Sequence, residues 1–405
     1  MTLPARQPDL PVTCFLRHLY LLAVLLLPLL AVLLLLLLSG GCSPGEGNRG
    51  TISIREGASY TRYASGFEVE RHSGYDLVQV FDPWQNSSHV TFSYLLGEDP
   101  ARLPDSLRNL PFITVPVNRV ITFSTTHVAL IQALGESVKI RGVSGSELIY
   151  DPEMNQRIRS GEVIDVGNDR ALDYEKVISL RPDVMFLFGV EERIREIADQ
   201  LAGMGIPVVF CGDYLERHPL GRAEWIRFFA LFFQKEQKAM QLFRGVDSSY
   251  RALTRLTADL EEKPSVLTGL PWKDTWYMAG GNSFTAKLIE DAGGRFLWDD
   301  TKSSQAIPMD MESVFSRAVR ADVWINPGDV ERMEDLVSFD ERFSKLDVVT
   351  EGMVFNNNAR MGPSGGNDYW ESGIVRPDLV LADLISIFHP ALMEDHRLIY
   401  YKKLK

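Results

Sequence analysis

The spacing of apolar and polar positions divides the chain after residue 62 into two kinds of structure. From Tyr63 to Phe81 apolar and polar residues alternate around the turn His72-Ser73-Gly74, which predicts a β-hairpin, and residues 90–96 continue as a strand-like run. From residue 119 onward, short apolar runs alternate with helical patterns, which predicts a mostly parallel sheet covered by helices on both faces. The predicted strands are 119–123, 138–143, 184–188, 265–270 and 323–326, and the predicted helices are 125–134, 174–180, 283–292 and 312–320.

The longest helical pattern runs from residue 236 to residue 262. Apolar residues recur there at three- and four-residue steps, and Pro264 prevents the helix from continuing. A helix of this length spans roughly 40 Å, the width of a small domain. We therefore expect a rod that joins two lobes.

The two halves repeat each other. Residues 130–135 (LIQALG) resemble residues 288–293 (LIEDAG), and each run ends in a glycine suited to a helix C-terminus. Asp173-Tyr174-Glu175 has its counterpart in Asp310-Met311-Glu312, with an N-cap aspartate two residues before a glutamate. Coincidence among short patterns is the alternative to an old duplication. Capping explains one such glutamate, whereas the repeat favours a paired role for Glu175 and Glu312 toward a two-fold partner.

The first forty residues have the features of a secretory signal. Arg6, Arg17 and His18 precede an apolar run over 19–38, which ends in Ser39-Gly40-Gly41-Cys42. Cys42 matches the acylated cysteine of a bacterial lipoprotein signal, although Ser39 stands where a large aliphatic residue is usual. A retained transmembrane helix is the alternative. Both interpretations place the body of the protein outside the cytoplasm, in the periplasm or cell envelope.

These patterns predict five segments. They are a lipoprotein signal peptide (1–41), a tether (42–62), an N-terminal α/β lobe that includes the β-hairpin extension (63–235), a linking helix (236–263) and a C-terminal α/β lobe (264–405).

Composition and charge exclude several classes of protein. The 405 residues carry 42 Lys and Arg against 54 Asp and Glu, and no basic run stands out, so a nucleic-acid-binding surface is not supported. Cys14, Cys42 and Cys211 lack metal-ligand spacing, which excludes zinc ribbons, CxxC redox sites and a disulfide scaffold. Cys211 lies in an apolar strand pattern typical of a small core residue.

The sequence contains no recognisable catalytic motif. Residues 142–146 (GVSGS) fail the nucleophile-elbow pattern, and no Walker loop, HExxH or strand-linked GxGxxG is present. We therefore expect no catalytic residues, no metal site and no resident cofactor.

Aromatic, hydroxyl and amide residues follow the predicted strands, and in open α/β sheets ligands bind at those strand ends. Such groups suit a bulky, partly apolar ligand, and an arginine among them can hold an anionic group in two hydrogen bonds. Core packing is the alternative for each aromatic residue, and a hydrogen-bonded or partly exposed histidine at a helix start is the alternative for His127. The candidate ligand-binding residues are Ser124, Thr125, Thr126, His127, Tyr214, Trp272, Trp276, Tyr277, Arg360, Tyr369 and Trp370.

Four segments resemble the periplasmic binding proteins of ABC importers for ferric siderophores, haem and cobalamin, in the lipoprotein form found in Bacteroides-like bacteria. They are RVITFSTTHVALIQALG (119–135), LDYEKVISLRPDVMFLFG (172–189), HPLGRAEWIRFF (218–229) and NDYWESGIVRPDLVLADLISIFHP (367–390). The resemblance implies two α/β lobes joined by one rigid helix, a ligand between the lobes and a small closing motion. It also implies that Glu175 and Glu312 pair with arginines of the permease. The hairpin before residue 110 departs from the shorter family members.

The resulting prediction is a lipid-anchored solute-binding protein that delivers a metal chelate to a dimeric permease driven by an ATPase. A ferric siderophore or another iron complex is the leading ligand, followed by haem and cobalamin. The competing hypotheses are an envelope hydrolase on the same α/β architecture and a surface adhesin or scaffold with an empty cleft.

Overall fold

The computed structural model describes residues 59–405. Cys42, the predicted signal peptide and most of the predicted tether lie outside the described residues. Within residues 59–405, no helix combines the length and the apolar character needed to cross a bilayer.

The N-terminal extension is a four-stranded sheet. Its strands are β1 (Phe67–His72), β2 (Tyr75–Phe81), β3 (Thr91–Gly97) and β4 (Phe112–Thr114), in the order β1-β2-β3-β4. The first two strands form the predicted hairpin, and β4 runs parallel to β3. The hairpin begins at Phe67 rather than Tyr63 because the residues before it are held by side chains of the lobe instead of by a neighbouring strand.

The N-terminal lobe has a five-stranded parallel sheet in the order β11-β10-β5-β6-β7. The strands from β5 onward are β5 (Val120–Thr122), β6 (Ile140–Val143), β7 (Ile164–Asp165), the short pair β8 (Gly167–Asn168) and β9 (Ala171–Leu172), β10 (Val184–Leu187) and β11 (Val208–Phe210). The helices are α1 (Thr125–Ala133), α2 (Pro152–Arg159), α3 (Tyr174–Leu180), α4 (Ile194–Gly203) and α5 (Pro219–Phe233).

The linking helix is α6 (Glu236–Thr257), an unbroken helix of 22 residues. It ends before residue 262, and the Thr257 hydroxyl in its last turn lies within hydrogen-bond distance of the Asp291 carbonyl. The Tyr250 hydroxyl, two turns earlier, donates to the Asp291 carboxylate at 2.8 Å. The predicted rod is therefore present, and its C-terminal half is tied to the C-terminal lobe.

The C-terminal lobe repeats the arrangement, with the sheet order β14-β12-β16-β17-β18. Its strands are β12 (Ser265–Thr268), β13 (Thr275–Met278), β14 (Arg295–Phe296), β15 (Ile307–Asp310), β16 (Val323–Ile325), β17 (Val354–Asn356) and β18 (Lys402–Lys403). Its helices are α7 (Phe284–Asp291), α8 (Met311–Ala318), α9 (Met333–Phe339), α10 (Asp347–Thr350), α11 (Ser372–Val375) and α12 (Pro377–Phe388). Strands β13 and β15 form a separate antiparallel pair, and only β18 runs antiparallel within the main sheet.

The duplication inferred from the sequence agrees with this geometry. In the N-terminal lobe β5 is followed by α1, and in the C-terminal lobe β12 and β13 are followed by α7. A glycine lies two residues beyond each helix, and both glycines, Gly135 and Gly293, adopt φ of +77°. Later strands are then added on both sides of β5 and of β12. The fold is two similar α/β lobes joined by one long helix, with a β-sheet extension at the N-terminus.

Buried carboxylates hold the segments that have no regular structure. Glu224, which is fully buried in α5, accepts the backbone N–H groups of residues 62–64. Glu216 accepts those of residues 65 and 66 together with the Trp225 indole N–H. Asp383, fully buried in α12, accepts the N–H groups of residues 399–401. Each carboxylate replaces the neighbouring strand that these backbone donors would otherwise need.

Candidate functional site

The order of the strands locates the candidate site. In the N-terminal sheet β5 lies between β6 and β10, and in the C-terminal sheet β12 lies between β14 and β16. The chain therefore reverses its direction of winding at β5 and at β12. Loops diverge at the carboxyl end of such a strand and leave a crevice where ligands bind. The candidate site is the cleft bordered by these strand ends.

Side chains after β5 form the first part of the N-terminal rim. The Ser124 hydroxyl caps α1 by accepting the Thr126 N–H at 3.2 Å, and Thr125 and Thr126 are half-buried. His127, predicted to contact the ligand, is instead fully buried in α1. Its Nε2 lies 3.2 Å from the Asp213 carboxylate. Because it is buried and contacts Asp213, this side chain supports the rim rather than lining it.

Aromatic groups form the second part of the N-terminal rim, beyond β10 and β11. The Tyr214 hydroxyl donates to the Gly189 carbonyl at 3.0 Å, and the Tyr214 ring packs edge-on against Phe188 at 4.8 Å. Burial raises the pKa of Tyr214, so the phenol is a neutral hydrogen-bonding group at physiological pH. Cys211 is a buried core residue whose pKa is raised by burial, as its strand pattern predicted.

The C-terminal rim carries exposed aromatic residues. Trp272, with 63% of its surface exposed, lies beyond β12 with the Lys273 ammonium 4.4 Å from its ring centre. Tyr277 on β13 is half exposed. Its neighbour Trp276 was predicted to touch the ligand, but it is buried in the lobe core, where its indole N–H donates to the Thr268 carbonyl.

The loop after β17 supplies Arg360 and Trp370. Arg360 is partly exposed, and its Nε lies 2.6 Å from the buried Asp368 carboxylate, so an anion reaching this guanidinium meets an existing ion pair. Trp370 is exposed, whereas Tyr369, another predicted ligand contact, is buried against Tyr400 and Tyr401. The loop therefore presents one aromatic face and one arginine toward solvent.

Three contacts join the two lobes beside the cleft. The Thr126 hydroxyl donates to the Trp370 carbonyl at 3.1 Å. The Glu371 carboxylate accepts the N–H groups of Tyr150 and Asp151. The Arg222 guanidinium lies 3.9 Å from the ring centre of Phe284. The carboxyl ends of both sheets thus meet at one junction.

Sequence reasoning missed three residues of this junction, Glu371, Arg222 and Phe284. Burial raises the pKa of Glu371 to about 7, and burial lowers the pKa of Arg222. The motifs that contain Glu371 and Arg222 carried the family resemblance, but nothing in their spacing indicated a contact between lobes.

A cavity of about 520 Å³ lies next to this junction, between α1, the middle of the linking helix and the segment that contains Glu371. Its walls are mostly apolar, and Arg360 and Arg376 lie at its polar side. Both arginines are paired with aspartates. The apolar wall consists of Ala129, Ala133, Ala223, Ile226, Leu242, Phe243, Val246 and Val375.

Glu175 and Glu312 occupy equivalent exposed positions. Asp173 caps α3 by accepting the Lys176 N–H at 3.0 Å, and Asp310 caps α8 by accepting the Ser313 N–H at 2.8 Å. Each glutamate is the second residue of its helix and is exposed. The caps satisfy the helix ends without the glutamates, so both carboxylates remain accessible.

Within the described part of the chain, no group of three or more His, Cys, Asp or Glu side chains is arranged to hold a metal ion.

Comparison with known proteins gives matches in sequence, to a family and to individual relatives, and matches in fold. The family described as "Periplasmic binding protein" matches residues 120–358. An uncharacterized lipoprotein of Methanocaldococcus jannaschii is 26% identical over 375 residues, covering 89% of this chain and 90% of that protein. A second uncharacterized lipoprotein of the same organism is 28% identical over 304 residues, covering 73% and 70%.

Two solved structures are similar in fold. A periplasmic heme-binding protein from Pseudomonas aeruginosa is superimposed with a TM-score of 0.53 at 18% identity, covering 71% of this chain and 98% of that one. A periplasmic heme-binding protein from Roseiflexus in its apo form gives 0.52 at 21% identity, covering 68% and 98%. At these identities the matches establish the fold.

Proposed function

Because the chain belongs to the periplasmic binding protein family, we propose that it is the substrate-binding lipoprotein of an ABC importer. It captures a metal chelate between its two lobes and delivers it to a membrane permease. The family match favours a binding protein over the envelope hydrolase that shares this architecture.

One observation carries this proposal. The carboxyl ends of two similar parallel sheets meet at a single junction, where exposed aromatic residues stand on the C-terminal side of the cleft and the half-buried Tyr214 stands on the N-terminal side. An open crevice with aromatic rims provides large, flat contact areas and a few polar anchors, which suit a bulky ligand more than a bare ion.

The ligand class follows from the groups on these rims. Trp272, Tyr277 and Trp370 offer aromatic faces, and Tyr214 and Thr125 offer neutral hydroxyl groups. These groups recognise the organic shell of a chelate and leave its metal to the chelator. We favour an iron complex, either a ferric siderophore or haem, with cobalamin next. The two heme-binding proteins of similar fold support an assignment to this class of ligand.

Delivery requires a partner and a place in the envelope. We propose that Glu175 and Glu312, one on each lobe, dock onto arginines of a dimeric permease that an ATPase drives. We also propose that Cys42 carries the lipid anchor, which would hold the protein in the periplasm or cell envelope. The names of the two lipoprotein relatives support this anchor.

Titration of the purified full chain in detergent tests the proposed ligand class. The probes are haemin, ferrichrome and cyanocobalamin, followed by tryptophan fluorescence and by calorimetry. We expect at least one probe to bind, and Trp272→Ala to weaken that binding by about 2 kcal/mol, or roughly thirtyfold, because an aromatic contact is lost.

Phe339→Ala is the matched control. Phe339 is an exposed aromatic residue of the same lobe, at the end of α9, and is not among the predicted ligand contacts, so its removal should leave the affinity unchanged. No binding of any probe, or equal losses for the two variants, would contradict the proposed site.

A further inference from the structure

The loop that joins β2 to β3 in the N-terminal extension reaches the rim of the cleft. The Gln85 N–H donates to the Val190 carbonyl at 3.1 Å, beyond the end of β10. Pro83 lies beside the loop beyond β11, where a methyl group added at Gly212 would be 3.4 Å from the Pro83 Cα. Tyr214 bonds to the Gly189 carbonyl, one residue before the Gln85 contact. The extension thus borders the same edge as the predicted ligand contacts.

The loop is firmly anchored. The Asp82 N–H donates to the Val90 carbonyl, and the Val90 N–H donates to the Asp82 carboxylate, both at 2.9 Å. Trp84 is buried, with its ring 5.6 Å from that of Phe210 on β11. These contacts close the base of the loop and fix it to the edge strand of the lobe.

The tip of this loop points polar groups toward solvent. Gln85, Asn86, Ser88 and His89 are exposed, and together with Ser87 they form a segment that we name the rim loop (residues 85–89). Asn86 and His89 adopt φ of 60° and 63°, a left-handed conformation that costs backbone energy in residues other than glycine. The Ser87 hydroxyl holds the turn by donating to the Trp84 carbonyl at 2.5 Å.

We propose that the rim loop is a third wall of the ligand cleft, which binds the polar edge of the chelate. The amides, hydroxyl and imidazole of this loop donate hydrogen bonds, so they suit acceptors such as carboxylate, amide or hydroxamate oxygens. The apolar body of the same ligand lies against the aromatic rims. This inference rests on the proposed function and assigns a role in ligand selection to the extension.

The experiment compares two double variants of the full chain. Ser88→Ala with His89→Gly removes the hydroxyl and the imidazole without adding another donor, and glycine tolerates the left-handed backbone at position 89. His72→Gly with Ser73→Ala makes the same chemical change at the opposite end of β2, about 20 Å away for a strand of seven residues.

We expect the rim-loop variant to weaken the tightest-binding probe among haemin, ferrichrome and cyanocobalamin by about tenfold, the effect of one or two lost hydrogen bonds. The matched variant should change that dissociation constant by less than twofold. Equal affinities for the two variants would overturn the inference while leaving the proposed function intact. If the unaltered protein binds none of the probes, the proposed function fails, and the inference fails with it.

A single substitution, Gln85→Glu, tests the proposal independently in case the loop of the double variant does not fold. It keeps the side-chain size and the backbone contact to Val190 but adds a negative charge at the rim. If the loop faces the ligand, the added charge repels the two carboxylates of haemin, whose affinity should fall at least fivefold relative to that of the uncharged ferrichrome. If ferrichrome is the ligand, its own affinity should fall, because the Gln85 amide no longer donates a hydrogen bond to it. Unchanged affinity for both probes would overturn the proposal.

Discussion

At the scale of single residues, Glu371 is the carboxylate that joins the two lobes. It accepts two backbone N–H groups from the start of α2, yet it is buried, and burial raises its pKa from 4.5 to about 7. Nearby Asp368 and Asp151 raise the pKa further, and the hydrogen bonds lower it. The folded protein therefore holds a proton at this site that the unfolded chain has released by pH 6.

The stability of the protein should fall as the pH rises through this window. Between pH 4.5 and pH 7 the folded state binds more protons than the unfolded state, so each step upward favours unfolding. Glu371→Gln cannot titrate. We expect the unaltered protein to lose roughly 2 kcal/mol more unfolding free energy than this variant between pH 5 and pH 8.

Urea denaturation at pH 5, 6, 7 and 8 measures this difference. Glu153→Gln, which changes an exposed glutamate at the start of α2, is the control and should follow the unaltered protein at every pH. Parallel curves for the unaltered protein and Glu371→Gln would show that Glu371 does not carry a raised pKa.

The predicted ligand contacts that turned out to be buried show which part of the site could not be predicted from the sequence. Trp276 and Tyr277 are neighbours on β13, and successive residues of a strand point to opposite faces, so one of them had to be buried. Likewise, Tyr369 is buried and the adjacent Trp370 is exposed, although both lie in one turn. Strand-end position predicted the region of the site, but which neighbour faces solvent depends on packing between elements that are far apart in sequence.

At the scale of whole elements, local signals predicted the helices that begin at a clear cap. Helix α3 has the predicted bounds, Tyr174–Leu180, because Asp173 caps its start and Arg181 turns left-handed at its end. Helix α5 was not predicted as an element, because 13 of its 15 residues are buried and no polar face marks its period. The rim loop was missed because its contacts depend on where the extension packs.

The linking helix contains one glycine that its structure does not require. Gly245 lies in the middle of α6, exposed, with no atom within 4 Å of an added methyl group. Glycine in a helix interior costs about 0.5–1 kcal/mol relative to alanine. We expect Gly245→Ala to raise the unfolding free energy by about that amount, measured by urea denaturation.

Gly205→Ala is the control that distinguishes this gain in helix stability from a general tolerance of alanine at glycines with open space around them. Gly205 also has open space around it but adopts φ of +77°, so alanine there should destabilise the protein by about 1 kcal/mol. If Gly245→Ala is neutral or destabilising, the linking helix is not continuous through its centre in solution. Increased stability with unchanged ligand affinity would indicate that the rod works without bending at this residue.

At the scale of the whole molecule, the repeat gives each lobe the same proposed docking glutamate. Glu175 and Glu312 stand at equivalent positions on α3 and α8, each behind an aspartate cap. Two like charges on similar lobes suit a partner with two-fold symmetry, because each lobe then meets the same surface. The ligand cleft and the docking groups use different side chains, so capture and delivery should be separable by mutation.

The double variant Glu175→Ala with Glu312→Ala tests this separation. We expect its affinity for the bound probe to match that of the unaltered protein, because neither carboxylate is among the proposed ligand contacts. Uptake of the probe by cells that carry the native permease should fall at least tenfold, since each charge pair lost from a desolvated interface costs about 2–5 kcal/mol. Glu261→Ala with Glu262→Ala removes two exposed carboxylates just before β12, at the end of the sheet opposite the cleft, and should preserve uptake. Equal uptake by the two double variants would rule out the glutamates as docking groups, and a loss of ligand affinity in the first would instead make them part of the binding site.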